Sequence, residues 1–227
     1  MRFIYPTVLI FMFGLLKATA APEQKFWKWF QGKESVLFAF EKNRAAVFDE
    51  LGTQMKKVHK SLTFEFGPVE AGKREFVISA DGIKDAFAAV EKLHTSAPKL
   101  DRWIFIKFRP RRAPMDIEFN GVKVKAEDVF CTIQPDKGKS GIIVFIRGYQ
   151  AGEHKTYSGI AFLMLDQALG EYDVETKVGF IETKPFSAPS ELEKKPIKEV
   201  TKVFDNFWKY QEGNTNRLAP LNTPTNQ

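Results

Sequence analysis

Two hydrophobic periods take turns along the chain. Leu37, Phe40, Val47, Phe48, Leu51, Met55 and Val58 recur at three- and four-residue spacing, the stripe of an amphipathic helix. Gly32 separates that helix from a short aromatic one, FWKWF, at 26–30. The period then drops to two. Phe64 and Phe66 fall on one side of LTFEF, and Thr63 and Glu65 on the other. REFVISADG follows after the turn-like EAGK, which predicts a hairpin. Ile83, Phe87, Val90 and Leu93 return to helical spacing, and Pro98 ends that second helix.

Residues 103–108, WIFIKF, have the apolar content of a fully buried strand. The next segment, MDIEF-NG-VKVKA, predicts its own register. Asn120-Gly121 suits a type I′ turn, which needs positive φ at both central positions. That turn sets Phe119 against Val122, Glu118 against Lys123, Ile117 against Val124 and Asp116 against Lys125. Two further strands, DVFCTIQ and GIIVFIRGY, flank the turn PDKGKS. TYSGIAFLMLDQAL reads as a strongly apolar helix closed by Gly170, and VGFIETKPF as a last short strand. A C-terminal helix starts near SELEKK, with Pro196 close to its start or kinking it. No internal repeat and no Gly- or Ser-rich linker is visible. The expected fold is α+β, a mostly antiparallel sheet with helices packed on it, in a single domain over 21–212. Residues 213–227, poor in apolar side chains, are expected to form a disordered tail.

Residues 1–20 differ in kind from the rest. Arg2 precedes an apolar run over 3–16, and Ala18-Thr19-Ala20 gives the small-x-small pattern of a signal peptidase site. The run is shorter than a membrane-spanning helix requires, so cleavage and export to the periplasm or medium are expected. A retained anchor is the alternative. Removing Arg2 and Lys17 with the signal lowers the formal charge from +6 to +4, too mild and too dispersed for a nucleic-acid binder. Cys131 is the only cysteine, so no intrachain disulfide can form; in VFCTI it reads as a buried, inert thiol.

Candidate chemistry concentrates where the WIFIKF strand ends. Trp103, Phe105, Lys107 and Arg109 share a strand face that changes from apolar to cationic, and Arg111 and Arg112 follow Pro110. Ile143 and Phe145 lead to Arg147 in the same way. Guanidinium forks match carboxylate and phosphate, so Lys107, Arg109, Arg111, Arg112 and Arg147 form a candidate anion site, converging if the two strands are neighbours. Equally, the arginines can close on native acids such as Glu65, Asp81 or Glu171.

Three other features bear on function. Glu171, Asp173, Glu175 and Glu182 copy the acidic offsets of a calcium loop, but Thr176 stands where the loop needs glycine, which favours a solvated strand face and no metal. Trp27, Trp29 and Phe30 offer an aromatic interaction surface for a partner or a membrane interface, or else pack against the C-terminal aromatics of FDNFWKY. His59, His94 and His154 are isolated, and no hydrolase, phosphate-loop or dinucleotide motif occurs. No cofactor is implied.

Taken together, FWKWF, LTFEF, ISADGI, FIKFRPRR and LGEYDVET resemble an exported bacterial protein family with no known activity, over most of the mature chain. The resemblance implies an envelope protein and assigns no residue a role. The functional expectation is therefore an exported, non-catalytic domain binding a protein partner or small anionic ligand, without nucleic acid. The alternatives are an envelope hydrolase using the acids of 166–182, or a membrane-peripheral protein docking through its N-terminal aromatics.

Overall fold

The computed structural model describes residues 20–218, with side chains through Gln211. The expected signal segment over 1–19 and the end of the expected tail over 219–227 lie outside the described residues. Among those described, no helix is long and apolar enough to cross a membrane.

The N-terminal half opens with α1 (Pro22–Gly32), α2 (Glu34–Phe38) and α3 (Arg44–Val58). The single long helix expected from Leu37 to Val58 is broken by a 3-10 turn at Phe40–Asn43, so Leu37 and Leu51 reach the same core from separate helices. Next come β1 (Thr63–Glu70) and β2 (Lys73–Ser79), an antiparallel hairpin around Ala71 and Gly72, both at positive φ. A helix α4 (Phe87–Thr95) crosses over to β3 (Trp103–Lys107), which pairs parallel with β2. The sheet order is β1-β2-β3. Because β3 is an edge strand, it is not fully buried as its apolar run suggested: Ile104 is 44% exposed. Ile83, expected in the α4 stripe, lies outside the helix and is exposed too.

The C-terminal half repeats that path. First, β4 (Ile117–Phe119) and β5 (Val122–Val124) form the predicted hairpin in the predicted register, with positive φ at Asn120 and Gly121. The expected fourth pair is not part of the ladder, since Asp116 accepts from Ala126 N and Lys125 pairs with Glu127. Then β6 (Val129–Asp136) and β7 (Lys139–Ile146) make an antiparallel hairpin. The helices α5 (His154–Leu169) and α6 (Glu171–Lys177) cross over to β8 (Val178–Pro185), parallel to β7. A two-residue strand, β9 (Lys195–Pro196), completes the order β8-β7-β6-β9. The final helix, α7 (Val200–Leu218), starts after Pro196 and continues beyond the expected domain end at 212. Pro196 serves the sheet edge, where a missing N–H costs little, instead of kinking a helix.

Hairpin, crossover helix and parallel third strand thus occur twice, down to the closing bond. Ile78 faces Lys107 and its carbonyl accepts from Phe108 N at 2.8 Å; Ile146 faces Pro185 and accepts from Phe186 N at 2.9 Å. The repeat lies in the backbone path, which no side-chain pattern had to preserve. The whole is one α+β domain with a mostly antiparallel set of pairings. Among the described residues its interior holds two clusters. One gathers Phe26, Trp27, Phe30, Leu51, Phe76 and Trp103, and the other Val144, Ile160, Leu165, Ile197 and Phe204.

Candidate functional site

The N-terminal aromatics do not form the expected interaction surface. Trp27 and Phe30 are buried at 3% and 0% exposure, and Trp29 is half-buried. Phe30 packs on Phe76 and Trp103 at 5.1 and 5.0 Å, and the Trp27 indole N–H donates to Leu93 O at 2.8 Å, tying α1 to α4. An indole inside a core needs such a polar partner, and here the chain supplies it. The rings do not meet the C-terminal aromatics either: Phe204 and Trp208 pack in the other cluster.

The arginine tract begins where β3 leaves its sheet. Phe108 adopts φ +61° and turns its ring onto Phe87 and Tyr172 at 4.6 and 5.1 Å. That turn delivers Arg109 to the junction of the two halves. Its Nε donates to Asp166 at 2.8 Å and its Nη1 to Asp81 at 2.9 Å, with Glu65 at 3.8 Å. Beside it, the Glu171 carboxylate is completely buried. Glu171 Oε1 accepts from Ala80 N and Gly82 N at 2.9 and 3.1 Å, and Oε2 accepts from Arg109 N at 3.0 Å. The ends of β2 and β3 therefore form a nest of backbone donors, and an acid from the other half fills it.

Gly170 makes this approach possible. It sits at φ +78°, and a Cβ there would stand 3.0 Å from Arg109 O. Two backbones meet at this point, with Glu171 N donating to Arg109 O at 3.1 Å. Gly170 also ends α5 as expected, its N–H donating to Asp166 O at 2.9 Å.

Electrostatics follow the geometry. Burial works against the Arg109 charge, but Asp166, Asp81 and Glu171 outweigh it and raise its pKa. For Asp166, burial prevails over the Arg109 contact, and with the neighbouring Glu171 charge it lifts the carboxyl above the ordinary aspartate range. Burial likewise raises Glu175, with Lys84 opposing.

The remaining guanidinium groups are occupied in the same way. Arg111 donates through Nε to Leu169 O at 3.1 Å, through Nη1 to both Asp205 oxygens at 2.9 Å, and through Nη2 to Asp173 at 2.5 Å. It joins α5, α6 and α7 at one point. Burial opposes the ionised Asp173, yet Lys177 and Arg111 overcome it and hold its pKa below the usual range. Arg112 bonds Glu75 at 2.6 Å, and its backbone N–H donates to Gln167 O at 2.6 Å. Lys107 pairs with Glu91 at 3.2 Å. These four cations do not form an open anion site: Arg109 and Arg111 meet acids of α5, α6 and α7, which close over the end of the first sheet, while Arg112 and Lys107 meet Glu75 of β2 and Glu91 of α4.

Arg147 is different. The strand preceding it, β7, lies in the other sheet from β3, so Arg147 does not converge with Arg109. It is exposed, and its guanidinium lies over the rings of Phe130 and Phe186 at 4.7 and 4.8 Å. Alone among the five candidate cations, it has no acid partner among the described residues.

Of the acids over 166–182, only Glu182 stands exposed on a strand, β8. Glu171, Asp173 and Glu175 ride on helix α6, so the alternation of a metal loop is lost. Asp166 and Glu171 are desolvated, as a catalytic pair requires, but both are bonded to Arg109. Cys131 is buried, and burial pushes its thiol up to about 12. The nest around Glu171 had no signal in the sequence, since its donors come from Ala80, Gly82 and Arg109, in strand ends that only the fold brings together. Comparison of the chain with protein-family models, with curated proteins and with solved structures found no match.

Proposed function

We propose that the chain is an exported, non-catalytic binding domain, and that Arg147 is its contact to an anionic group on a small ligand or partner protein. The observation that supports this is an exposed guanidinium resting on Phe130 and Phe186, without an acid partner among the described residues. Two aromatic faces fix the orientation of the fork while its edge N–H groups remain free for a carboxylate or phosphate. Such a cation has already given up part of its side-chain entropy before a ligand arrives. Export rests on the signal-like pattern of residues 1–20.

The test is anion-dependent thermal stabilisation by phosphate or citrate at constant ionic strength. Arg147→Gln is expected to abolish the shift in Tm. Arg111→Ala with Arg112→Ala is expected to lower Tm without anion and to leave the anion-dependent shift in place. An unchanged shift in Arg147→Gln removes Arg147 from the site.

A further inference from the structure

The outer side of β3 is an open sheet edge. Arg74 N donates to Arg102 O at 2.9 Å, and Phe108 N donates to Ile78 O at 2.8 Å. In a parallel ladder, alternate residues turn both backbone groups to one neighbour, so residues 102, 104, 106 and 108 serve β2. Trp103, Phe105 and Lys107 therefore point theirs away from the sheet. Trp103 N is taken by Leu100 O at 3.1 Å, and Phe105 O by His94 Nε2 at 3.2 Å. The N–H groups of Phe105 and Lys107 and the carbonyls of Trp103 and Lys107 are left without a partner among the described residues. The other edge of this sheet is blunted, because β1 carries Pro68 and a register shift between Phe66 and Val69.

A shallow groove of about 390 Å³ opens along this edge, lined among others by Lys73, His94, Lys99, Asp101, Trp103 and Phe105. Lys73 and Lys99 are exposed and have no acid partner among the described residues; Asp101 is the one acid of the lining, so the balance of charge there stays positive. An open edge beside unpaired cations fits one kind of occupant. We infer that the β3 edge accepts an added strand from a protein partner, an extended acidic segment whose backbone pairs with Phe105 and Lys107 and whose carboxylates meet Lys73 and Lys99. Self-association of a second copy through the same edge is the competing outcome that the test below separates. The surface belongs to the half of the molecule without Arg147 and goes beyond the anion reading.

The probe is a short fluorescein-labelled peptide of alternating Glu and Val, with a Lys-Val peptide as control. Binding is read by anisotropy, and the paired residues by backbone amide hydrogen exchange. Expected are binding of the acidic peptide alone, slowed exchange at Phe105 and Lys107, and an affinity loss of roughly tenfold or more in Lys73→Glu with Lys99→Glu. Lys107→Pro, which deletes one outward donor at an edge that tolerates proline, is expected to remove most of the binding. Should that variant misfold, the charge reversals still decide. Arg147→Gln is expected to leave peptide binding unchanged, so the two sites fail independently. No binding, equal binding of the Lys-Val control, or binding without protection at β3 overturns the inference. So does concentration-dependent self-association that protects the same amides.

Discussion

Glu171→Ala probes the junction most directly. The wild-type carboxylate satisfies three backbone donors, Ala80 N, Gly82 N and Arg109 N, from a position with no solvent exposure. Deleting it leaves those N–H groups facing a cavity. Each buried donor without a partner costs roughly 1–3 kcal/mol, and removing one member of a buried charged network costs about 3–5 kcal/mol in all. Glu171→Gln is the gentler control. One amide oxygen still serves two of the donors, but the amide NH2 confronts the third, for a loss of roughly 1–3 kcal/mol. The assay is equilibrium urea unfolding of both variants, comparing midpoints at unchanged slope. For a chain of this size, about 3 kcal/mol also lowers Tm by roughly 6–12 °C. If Glu171→Ala loses less than about 1 kcal/mol, the nest does not hold the two halves together and this reasoning fails.

Gly170→Ala places a side chain at φ +78° and 3.0 Å from a backbone oxygen, and is expected to cost about 1–3 kcal/mol by the same unfolding assay. Phe30→Ala empties a fully buried site and is expected to cost about 3–5 kcal/mol. The Asp173 pKa is depressed in the fold, so its stabilisation is present above the ordinary aspartate value of 3.8 and is lost as pH falls through the lowered folded value. Asp173→Asn is therefore expected to destabilise at pH 7 and to approach wild type in acid, as followed by thermal melts across pH. Cys131 is expected to resist alkylation by iodoacetamide at pH 8 until the protein is unfolded, since burial holds its thiol near 12. N-terminal sequencing of protein recovered from a bacterial periplasm is expected to begin at Ala21.

Particular elements show how far local pattern reached. The turn and register of the hairpin at Asn120-Gly121 were legible because the turn chemistry and the cross-strand pairs lie within ten residues of each other, though the ladder stops one pair short of the expected Asp116 and Lys125. Gly170 was legible as a helix end, but its second task, admitting the backbone of Arg109, was not. Buried and edge strands carry the same apolar letters, so β3 was misread; only its place in the sheet order separates the cases. The break at Phe40–Asn43 escaped because Leu37 and Phe40 fit the helical stripe whether or not the backbone continues through it.

The candidate site divides along the same line. Residue types told that Arg109, Arg111 and Arg112 would meet carboxylates, and even that Glu65, Asp81 and Glu171 were eligible. Whether those carboxylates belonged to a ligand or to the chain was a question of distance, and each answering residue lies far away in sequence: Asp166, Asp173 and Asp205 follow their arginines by 57, 62 and 94 positions. By itself the sequence determined the α+β class, most strands and helices, the turn register and the inert setting of Cys131, because backbone preference and hydrophobic period act between near neighbours. Tertiary structure alone decided that the arginine tract seals a seam and that, among the described residues, Arg147 has no acid partner and one edge of the first sheet stays open. Ion pairing and strand pairing depend on which distant segments share a surface, and that is set when the two cores close.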